Sequence, residues 1–119
     1  MIVAGYGRFG QSVGRLLSAQ GFKVSVLDHD ADQVELLRGF GRKVNYGDAT
    51  RLDLLRLAGA GDARLLVIAL NDREKTTQLV DTARHAFPHL KIAARAYDRR
   101  HAYELMGRDV EALERETFA

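Results

Sequence analysis

The glycines near the start of the chain are the residues whose type and spacing best indicate chemistry. They follow the spacing G-x-G-x-x-G directly after a short apolar run. In this spacing the first glycine allows a tight turn, the second lets the backbone approach a pyrophosphate, and the third lets a helix lie close to a strand. The freed N–H groups and the positive end of the helix dipole then face the phosphates. The pattern predicts a nucleotide-binding loop made of Gly5, Tyr6, Gly7, Arg8, Phe9 and Gly10.

We expect Asp28 to bind the ribose of such a nucleotide. It ends an apolar run 18 positions after Gly10, where dinucleotide-binding folds place an acidic residue that accepts hydrogen bonds from the ribose hydroxyls. The alternative is an aspartate that only forms a turn. Because Asp30 adds a second negative charge, a 2′-phosphate would be repelled, and NAD or another adenosine nucleotide is favoured over NADP. His29 is expected to line the site as a loop residue.

The turn after the third predicted strand is expected to hold the adenine. Asp48 and Ala49 flank the base in this interpretation, and Asp48 or a backbone group accepts a hydrogen bond from its exocyclic amine. The turn also has a structural explanation, because Thr50 can cap the helix that follows. The two roles are compatible.

The turns after the fourth and fifth strands are predicted to form the opposite wall. Leu70 and Asn71 follow the fourth strand, where a structural role is expected first and binding through Leu70 or the backbone is the alternative. Arg95 lies at the end of the fifth strand. Its positive charge either reaches a phosphate or pairs only with Asp98.

No catalytic arrangement accompanies these binding residues, so the sequence predicts no enzyme. The serines have no nucleophile-elbow context, and the histidines show no metal-ligand spacing with acidic residues. A dehydrogenase also needs a second wall that holds substrate against the nicotinamide, and no residues are left to build one. Binding without catalysis and without a metal is the preferred interpretation. The cofactor-binding half of a small NAD-dependent oxidoreductase is the alternative.

The composition is typical of one globular domain. A chain of 119 residues is long enough for one domain with a sizeable core. Its 46% hydrophobic and 29% charged residues are ordinary for such a domain, and a net charge of +2 gives no indication of nucleic-acid binding. The absence of cysteine excludes disulfides and thiolate metal sites. Because the sequence begins inside its first predicted strand, we expect a domain cut from a longer chain.

Strands and helices alternate along the whole chain, which predicts the scaffold that positions the binding residues. Alternation with short loops requires parallel strands and right-handed crossovers, and hence a Rossmann-like doubly wound α/β sheet. With the strand order 3-2-1-4-5-6, ligands bind where the order reverses, beside the glycine loop. The predicted strands are residues 2–4, 23–28, 43–46, 64–70, 90–96 and 109–113. The predicted helices are residues 8–20, 31–38, 51–58, 72–86 and 99–106.

The start of the first helix differs from the predicted starts of the other four. Those four offer a side-chain oxygen as N-cap, whereas the first offers none and places Arg8 where the helix dipole favours an anion. We therefore expect this helix to receive an anion from a ligand; a cap of glycine and water is the alternative. The predicted caps are Asp30 with Gln33, Thr50 with Asp53, Asn71 with Glu74, and Asp98. The face of the first helix expected to pack on the sheet is Phe9, Val13, Leu16 and Leu17.

Beyond these local patterns, the chain resembles a known family over nearly its whole length. The resemblance is carried by GYGRFGQ at 5–11, GRLL at 14–17, VLD at 26–28, YGDAT at 46–50, FPHL at 87–90, ARA at 94–96 and RETF at 115–118. These motifs are similar to those of the nucleotide-binding regulatory domain, called RCK, KTN or TrkA-N, of the Kef glutathione-regulated potassium-efflux proteins. The glycine loop and the GDAT turn occur in RCK domains generally, whereas GRFGQ, FPHL and RETF are more specific to Kef.

The resemblance implies a regulatory function with two kinds of ligand. Kef proteins are membrane potassium–proton antiporters whose cytosolic domains of this kind pair as dimers. Glutathione holds them closed and glutathione adducts open them. The resemblance also implies AMP or NAD(H) in the glycine-loop site, and it maps glutathione-binding arginines onto Arg15 and Arg115. Gln11 lies four residues before Arg15 on the same helix face and is a further candidate.

The resemblance finally implies a location and a set of partners. We expect a cytoplasmic domain of an inner-membrane protein, joined to the antiporter in one chain and paired as a homodimer. A regulatory subunit of a Trk-type potassium-uptake system, which shares the nucleotide site but not glutathione, is a further alternative.

Overall fold

The computed structural model describes residues 1–39 and 43–113 and has helices on both faces of one sheet. The strands are β1 (Ile2–Ala4), β2 (Ser25–Asp28), β3 (Lys43–Tyr46), β4 (Leu65–Ile68), β5 (Lys91–Arg95) and β6 (Glu111–Leu113). The helices are α1 (Arg8–Ala19), α2 (Ala31–Gly39), α3 (Leu52–Leu57), α4 (Arg73–Ala86) and α5 (Arg99–Met106). Every predicted element is confirmed, with ends that differ by a residue or two.

The six strands form one parallel sheet in the order β3-β2-β1-β4-β5-β6, as predicted. β1 lies between β2 and β4, with Val3 opposite both Val26 and Val67. The chain therefore leaves β1 toward one edge of the sheet and β4 toward the other, which opens a crevice at the carboxyl ends of these two strands. All the turns that were predicted to bind a ligand lie at this edge.

Apolar side chains on both faces of the sheet hold the layers together. The larger cluster joins the sheet to α3, α4 and α5 through residues with no exposed surface, among them Leu55, Leu79 and Leu105. The smaller cluster lies on the side of α1 and α2, and Val34 and Leu37 of α2 are buried there as predicted. In the described ranges, no helix has both the length and the apolar character needed to cross a membrane.

Helix α1 lies against the sheet through glycines rather than through large side chains. Its fully buried residues are Gly10 and Gly14. A Cβ atom on Gly10 would lie 2.0 Å from the carbonyl oxygen of Gly5, and one on Gly14 would lie 2.6 Å from the Tyr6 hydroxyl. The prediction that Leu16 faces the core is wrong: it is 62% exposed, because the glycine face of the helix takes the contact. The rest of the predicted stripe is half-buried, namely Phe9, Val13 and Leu17.

The N-caps predicted for α2 and α5 are confirmed. Asp30 accepts a hydrogen bond from the backbone N–H of Gln33, and Asp98 accepts one from that of His101 at 2.7 Å. Gln33 does not complete a capping box with Asp30. Its side chain instead donates to the carbonyl oxygen of Tyr6, so it links α2 to the glycine loop.

The N-caps predicted for α3 and α4 are wrong. Thr50 does not cap α3: its hydroxyl and N–H both donate to Asp48, and the N-cap residue of α3 is Arg51, whose side chain makes no capping hydrogen bond. The cap of α4 is Asp72 rather than the predicted Asn71. The short helix α3 therefore shares the lack of a cap with α1, and the predicted contrast holds for α2, α4 and α5 only.

His101 is a fully buried titratable group in α5. Its Nδ1 accepts a hydrogen bond from the backbone N–H of Tyr97, and its Nε2 lies 3.3 Å from the Thr77 hydroxyl. Because Nδ1 must be unprotonated to accept, the neutral ring carries its proton on Nε2. Burial, with a smaller contribution from the charge of Arg73, lowers the pKa of His101 below its ordinary value of 6.5.

Replacing Gly10 by alanine is expected to destabilise the fold, because the new methyl group collides with the backbone carbonyl of Gly5. We expect the free energy of unfolding, measured by chemical denaturation, to fall by about 1–3 kcal/mol or more. Gly39→Ala is the matched control, since a Cβ atom there meets nothing within 4 Å, and it should be neutral or slightly stabilising. If Gly10→Ala had the same free energy of unfolding as the wild type, the close contact between α1 and the Gly5 carbonyl would be contradicted.

The domain should lose stability when the pH falls below 6.5, because His101 binds a proton more readily in the unfolded chain than in the fold. The loss is expected between that pH and the lower folded-state pKa, at about 1.4 kcal/mol for each unit between them. The carboxyl pKa values of Asp48 and Asp98 are also lowered, but these groups change the stability only when the pH falls below 3.8.

Denaturation curves measured at a series of pH values test this expectation. His101→Asn should be less stable overall but should show a flatter pH dependence. His85→Asn changes an exposed histidine and should keep the wild-type dependence. The expectation fails if His101→Asn and the wild type lose stability equally on acidification.

Candidate functional site

The start of α1 is open and has no cap from the protein itself. Gly7 is the N-cap residue, no side chain caps the helix, and its first turn contains no acidic residue. A Cβ atom on Gly7 would meet nothing within 4 Å, whereas Gly5, which has a φ of +87°, and Gly10 are both closely surrounded. The helix dipole and the unpaired N–H groups of the first turn favour an anion at this position. Arg8, which is exposed, adds a positive charge.

Asp28 is placed beside this loop by its own hydrogen bonds. It is only 8% exposed. Its Oδ2 accepts from the backbone N–H of Tyr6 and its Oδ1 from that of Asp30, both at 2.8 Å. The carboxylate therefore joins the β1–α1 loop to the β2–α2 turn, and each of its oxygens can accept a further hydrogen bond. His29 lies next to it, 80% exposed at its side chain, with Nδ1 4.0 Å from Oδ1.

Tyr6 connects the neighbouring helices to the glycine loop through its backbone carbonyl and not through its ring. The ring is buried against Gly14, whereas the carbonyl oxygen accepts from the side-chain amides of Gln11 and Gln33, each at 3.2 Å. Two helices are thereby tied to the glycine loop. The link from Gln33 to the glycine loop was not predicted. The position of Gln33 in the first turn of α2, directly after the turn that contains Asp28, is the signal in the sequence that could have indicated it.

The side of the crevice toward β3 contains a cavity of about 530 Å³. Asp48 is exposed in its lining, and the Thr50 hydroxyl and N–H hold the pKa of the Asp48 carboxyl below its usual range. It is therefore an acceptor at neutral pH, as an exocyclic amine requires. Ala49 is 5% exposed and packs in the main core, so its side chain is turned away from the cavity. The cavity is lined by His29, Tyr46, Gly47, Asp48, Arg51, Asp53 and Leu54.

The opposite side of the crevice is formed by the ends of β4 and β5. Arg95 donates from Nη1 to the side-chain oxygen of Asn71 at 3.3 Å, and its guanidinium carbon lies 5.6 Å from the centre of the Phe9 ring. The alternative pairing with Asp98 is therefore wrong. The Leu70 carbonyl accepts from the Tyr97 hydroxyl at 2.5 Å. Tyr97, two residues after Arg95, was not predicted to lie here, because an aromatic residue alone gives no binding signal in the sequence.

The predicted effector residues lie on the exposed side of α1. Arg15 is exposed and its Nη2 lies 3.4 Å from the side-chain oxygen of Gln11, so the pair shares a helix face as expected. Gln11 also contacts Tyr6, which connects this face to the glycine loop. Arg115 lies outside the described residues.

A larger cavity of about 780 Å³ lies at the other end of the sheet, and none of the predicted binding residues lines it. Its walls come from the first residues of β5 and β6 and the end of α5, including Lys91, Glu111 and Met106. In residues 1–39 and 43–113, no group of three or more His, Cys, Asp or Glu is arranged to hold a metal ion.

Comparison with known proteins identifies relatives with this architecture. Residues 1–113 match the TrkA-N domain family. The glutathione-regulated potassium-efflux system protein KefC of Escherichia coli O139:H28 (strain E24377A / ETEC) is 53% identical over 118 residues. These residues are 99% of this chain and 19% of KefC, so the chain spans about a fifth of this relative.

Solved structures of two related proteins have the same fold as this chain. The Shewanella denitrificans Kef CTD in its AMP-bound form is 56% identical, with a TM-score of 0.87 over 98% of this chain and 71% of that one. The GsuK channel bound to NAD shares the fold, with 21% identity and a TM-score of 0.83 over 94% of this chain and 20% of that one. The chain therefore belongs to the TrkA-N domain family and is a homologue of the Kef C-terminal domains.

Proposed function

We propose that the chain is a cytosolic regulatory domain that binds an adenine nucleotide, AMP or NAD(H), and acts on a potassium transporter. In this proposal the domain pairs as a homodimer and gates a glutathione-regulated potassium/proton antiporter carried by the same polypeptide. The nucleotide is a sensed ligand, and the domain itself catalyses no reaction.

The observation that carries the proposal is the open position at Gly7. The protein's own packing accounts for Gly5 and Gly10, because a side chain at either would collide with backbone atoms. A Cβ atom on Gly7 would meet nothing within 4 Å in the described structure, although Gly7 stands at the uncapped start of α1. A phosphate approaching the N–H groups accounts for both features.

The relatives support an adenine nucleotide in particular. The Shewanella Kef domain, 56% identical, binds AMP. In this chain, Asp28 and the cavity beside Asp48 stand on the same side of the glycine loop, where the ribose and the adenine of AMP are expected. NAD(H) carries the same adenosine half.

The regulatory role is supported by a relative in which the matching region is one part of a longer transport protein. KefC, a potassium-efflux system protein, is about five times as long as this chain, which is similar to 19% of it. We infer that the chain is one TrkA-N domain of a larger inner-membrane transporter and lies on the cytoplasmic side. Gating then requires that ligands bind two arrangements of the dimer with different affinities.

Glutathione is the second proposed ligand, with its adducts as the opposing effector. Arg15 offers an exposed guanidinium on α1, and a guanidinium suits the carboxylates of glutathione. Gln11 contacts both Arg15 and the Tyr6 carbonyl, so an effector held here would touch a residue of the nucleotide loop. Arg115 is proposed as the second effector arginine.

Gly7→Ala is expected to abolish nucleotide binding without harming the fold. The backbone of Gly7, with φ −73° and ψ −161°, is open to alanine, so the free energy of unfolding should change by less than about 1 kcal/mol. In the wild type, AMP at about 100 times its Kd should add about 2.7 kcal/mol and raise Tm by roughly 10 °C. Gly7→Ala should lose this shift, as measured by scanning calorimetry.

The matched control for Gly7→Ala is Gly61→Ala, which also adds a methyl group in open space but far from the loop. It should keep the full shift with AMP. If Gly7→Ala keeps the shift too, the phosphates bind elsewhere. If neither AMP nor NADH shifts the wild type, the proposed function itself is wrong.

Arg15→Gln is expected to weaken glutathione binding about tenfold, because a charge-assisted hydrogen bond to a carboxylate is lost. The AMP affinity should stay within about twofold, since Arg15 lies on the outer face of α1. Isothermal calorimetry with each ligand measures both, and Arg56→Gln, at another exposed helical arginine, is the control. Unchanged glutathione affinity in Arg15→Gln would contradict this assignment.

A further inference from the structure

Arg95 is held beside the start of α1 by contacts with two aromatic rings and one amide. Its guanidinium carbon lies 5.6 Å from the centre of the Phe9 ring and 5.9 Å from that of Tyr97. Nη1 donates to the side chain of Asn71. Because Phe9 belongs to the first turn of α1, the cation lies close to the uncapped helix N-terminus. Cation–ring contacts at such distances fix the guanidinium without neutralising its charge.

The charge of Arg95 has no acidic partner among the described residues. Asp98, the acidic residue nearest to it in sequence, pairs instead with Arg73 at 3.3 Å. The hydrogen-bond partner that Arg95 does have, Asn71, is neutral, and the buried Nε of Arg95 has no partner in the described part of the chain. A guanidinium has five N–H donors, so most of its donor capacity is left for another molecule.

The position of Arg95 in the sheet indicates which part of a nucleotide it meets. Asp28 ends β2 and the glycine loop follows β1, whereas Arg95 ends β5, on the other side of β1. A nucleotide with its ribose at Asp28 and its first phosphate at Gly7 must extend toward β4 and β5 if it is longer than a monophosphate. The group that follows the first phosphate then comes to Arg95.

We propose that Arg95 distinguishes nucleoside diphosphates from monophosphates by binding the second phosphate with its guanidinium fork. The inference rests on the proposed nucleotide site and adds a ligand class to it. A planar fork of N–H donors suits phosphate oxygens, and the rings of Phe9 and Tyr97 hold it in place before the ligand arrives. The site therefore takes ADP, or the diphosphate of NADH, more tightly than AMP.

Isothermal calorimetry with AMP, ADP and NADH on the wild type and Arg95→Gln tests the inference. The wild type should bind ADP about tenfold more tightly than AMP, the gain expected from a charge-assisted hydrogen bond. Arg95→Gln should bind AMP within about twofold of the wild type but should lose the preference for ADP, and NADH should weaken in parallel. Arg99→Gln, an exposed arginine in α5, is the matched control and should keep the preference.

Several outcomes would overturn the inference. Equal binding of AMP and ADP by the wild type would do so, as would an equal loss of both in Arg95→Gln. Binding of AMP with no ADP preference leaves the proposed function standing, whereas absence of all nucleotide binding removes the proposed function and this inference together.

Arg95→Lys provides the test if Arg95→Gln does not fold. Arg95→Lys keeps the charge but loses the fork of N–H donors. It should therefore prefer ADP over AMP, but by less than the wild type does. A preference equal to that of the wild type in Arg95→Lys would contradict binding by the fork. Thermal unfolding of each variant without ligand establishes that the fold is intact.

Discussion

The buried carboxylate of Asp28 is the group on which the binding edge of this domain depends. Two backbone N–H groups, of Tyr6 and Asp30, donate to its two oxygens at 2.8 Å, and hydrogen bonds to a charged group contribute about 1.5–3 kcal/mol each. The Tyr6 carbonyl then accepts from Gln11 and Gln33. This one carboxylate therefore fixes the glycine loop and the β2–α2 turn relative to each other, and the Tyr6 carbonyl links the starts of α1 and α2 to them.

The glycines of the loop and of α1 are required for different physical reasons. Gly5 and Gly10 are required by the protein's own backbone contacts, and together with Gly14 they let α1 approach the sheet closely. At Gly7 a Cβ atom would meet nothing within 4 Å, so packing inside the domain does not account for the glycine there. The N-terminus of α1 is thus brought near the crevice by packing and carries no side-chain cap.

The sequence was sufficient for the parts of the fold that local patterns control. Alternating elements and crossover handedness predicted the strand order, and the caps Asp30 and Asp98 were read correctly. The caps of α3 and α4 and the burial of Leu16 were predicted wrongly, and of the two alternatives left open for Arg95, the pairing with Asp98 is not the one formed, since Asp98 pairs with Arg73. Each depends on contacts that spacing does not show: Thr50 donates to Asp48, two residues before it, Asn71 accepts from Arg95, and buried glycines rather than Leu16 pack α1 against the sheet. The spacing of residues in the sequence shows which side chains can form a hydrogen bond or a cap. It does not show with which of several nearby groups each of them forms it.

The most direct test of the nucleotide site is an NMR titration of the ¹⁵N-labelled domain with AMP. The site described here predicts that the backbone amides of Gly7, Phe9 and Gly10 shift most, together with those around Asp28 and Asp48. The amides of Lys91 and Glu111, at the larger cavity on the opposite end of the sheet, should not move. Shifts confined to that cavity, or no shifts at saturating AMP, would contradict the central claim that the start of α1 holds the phosphate.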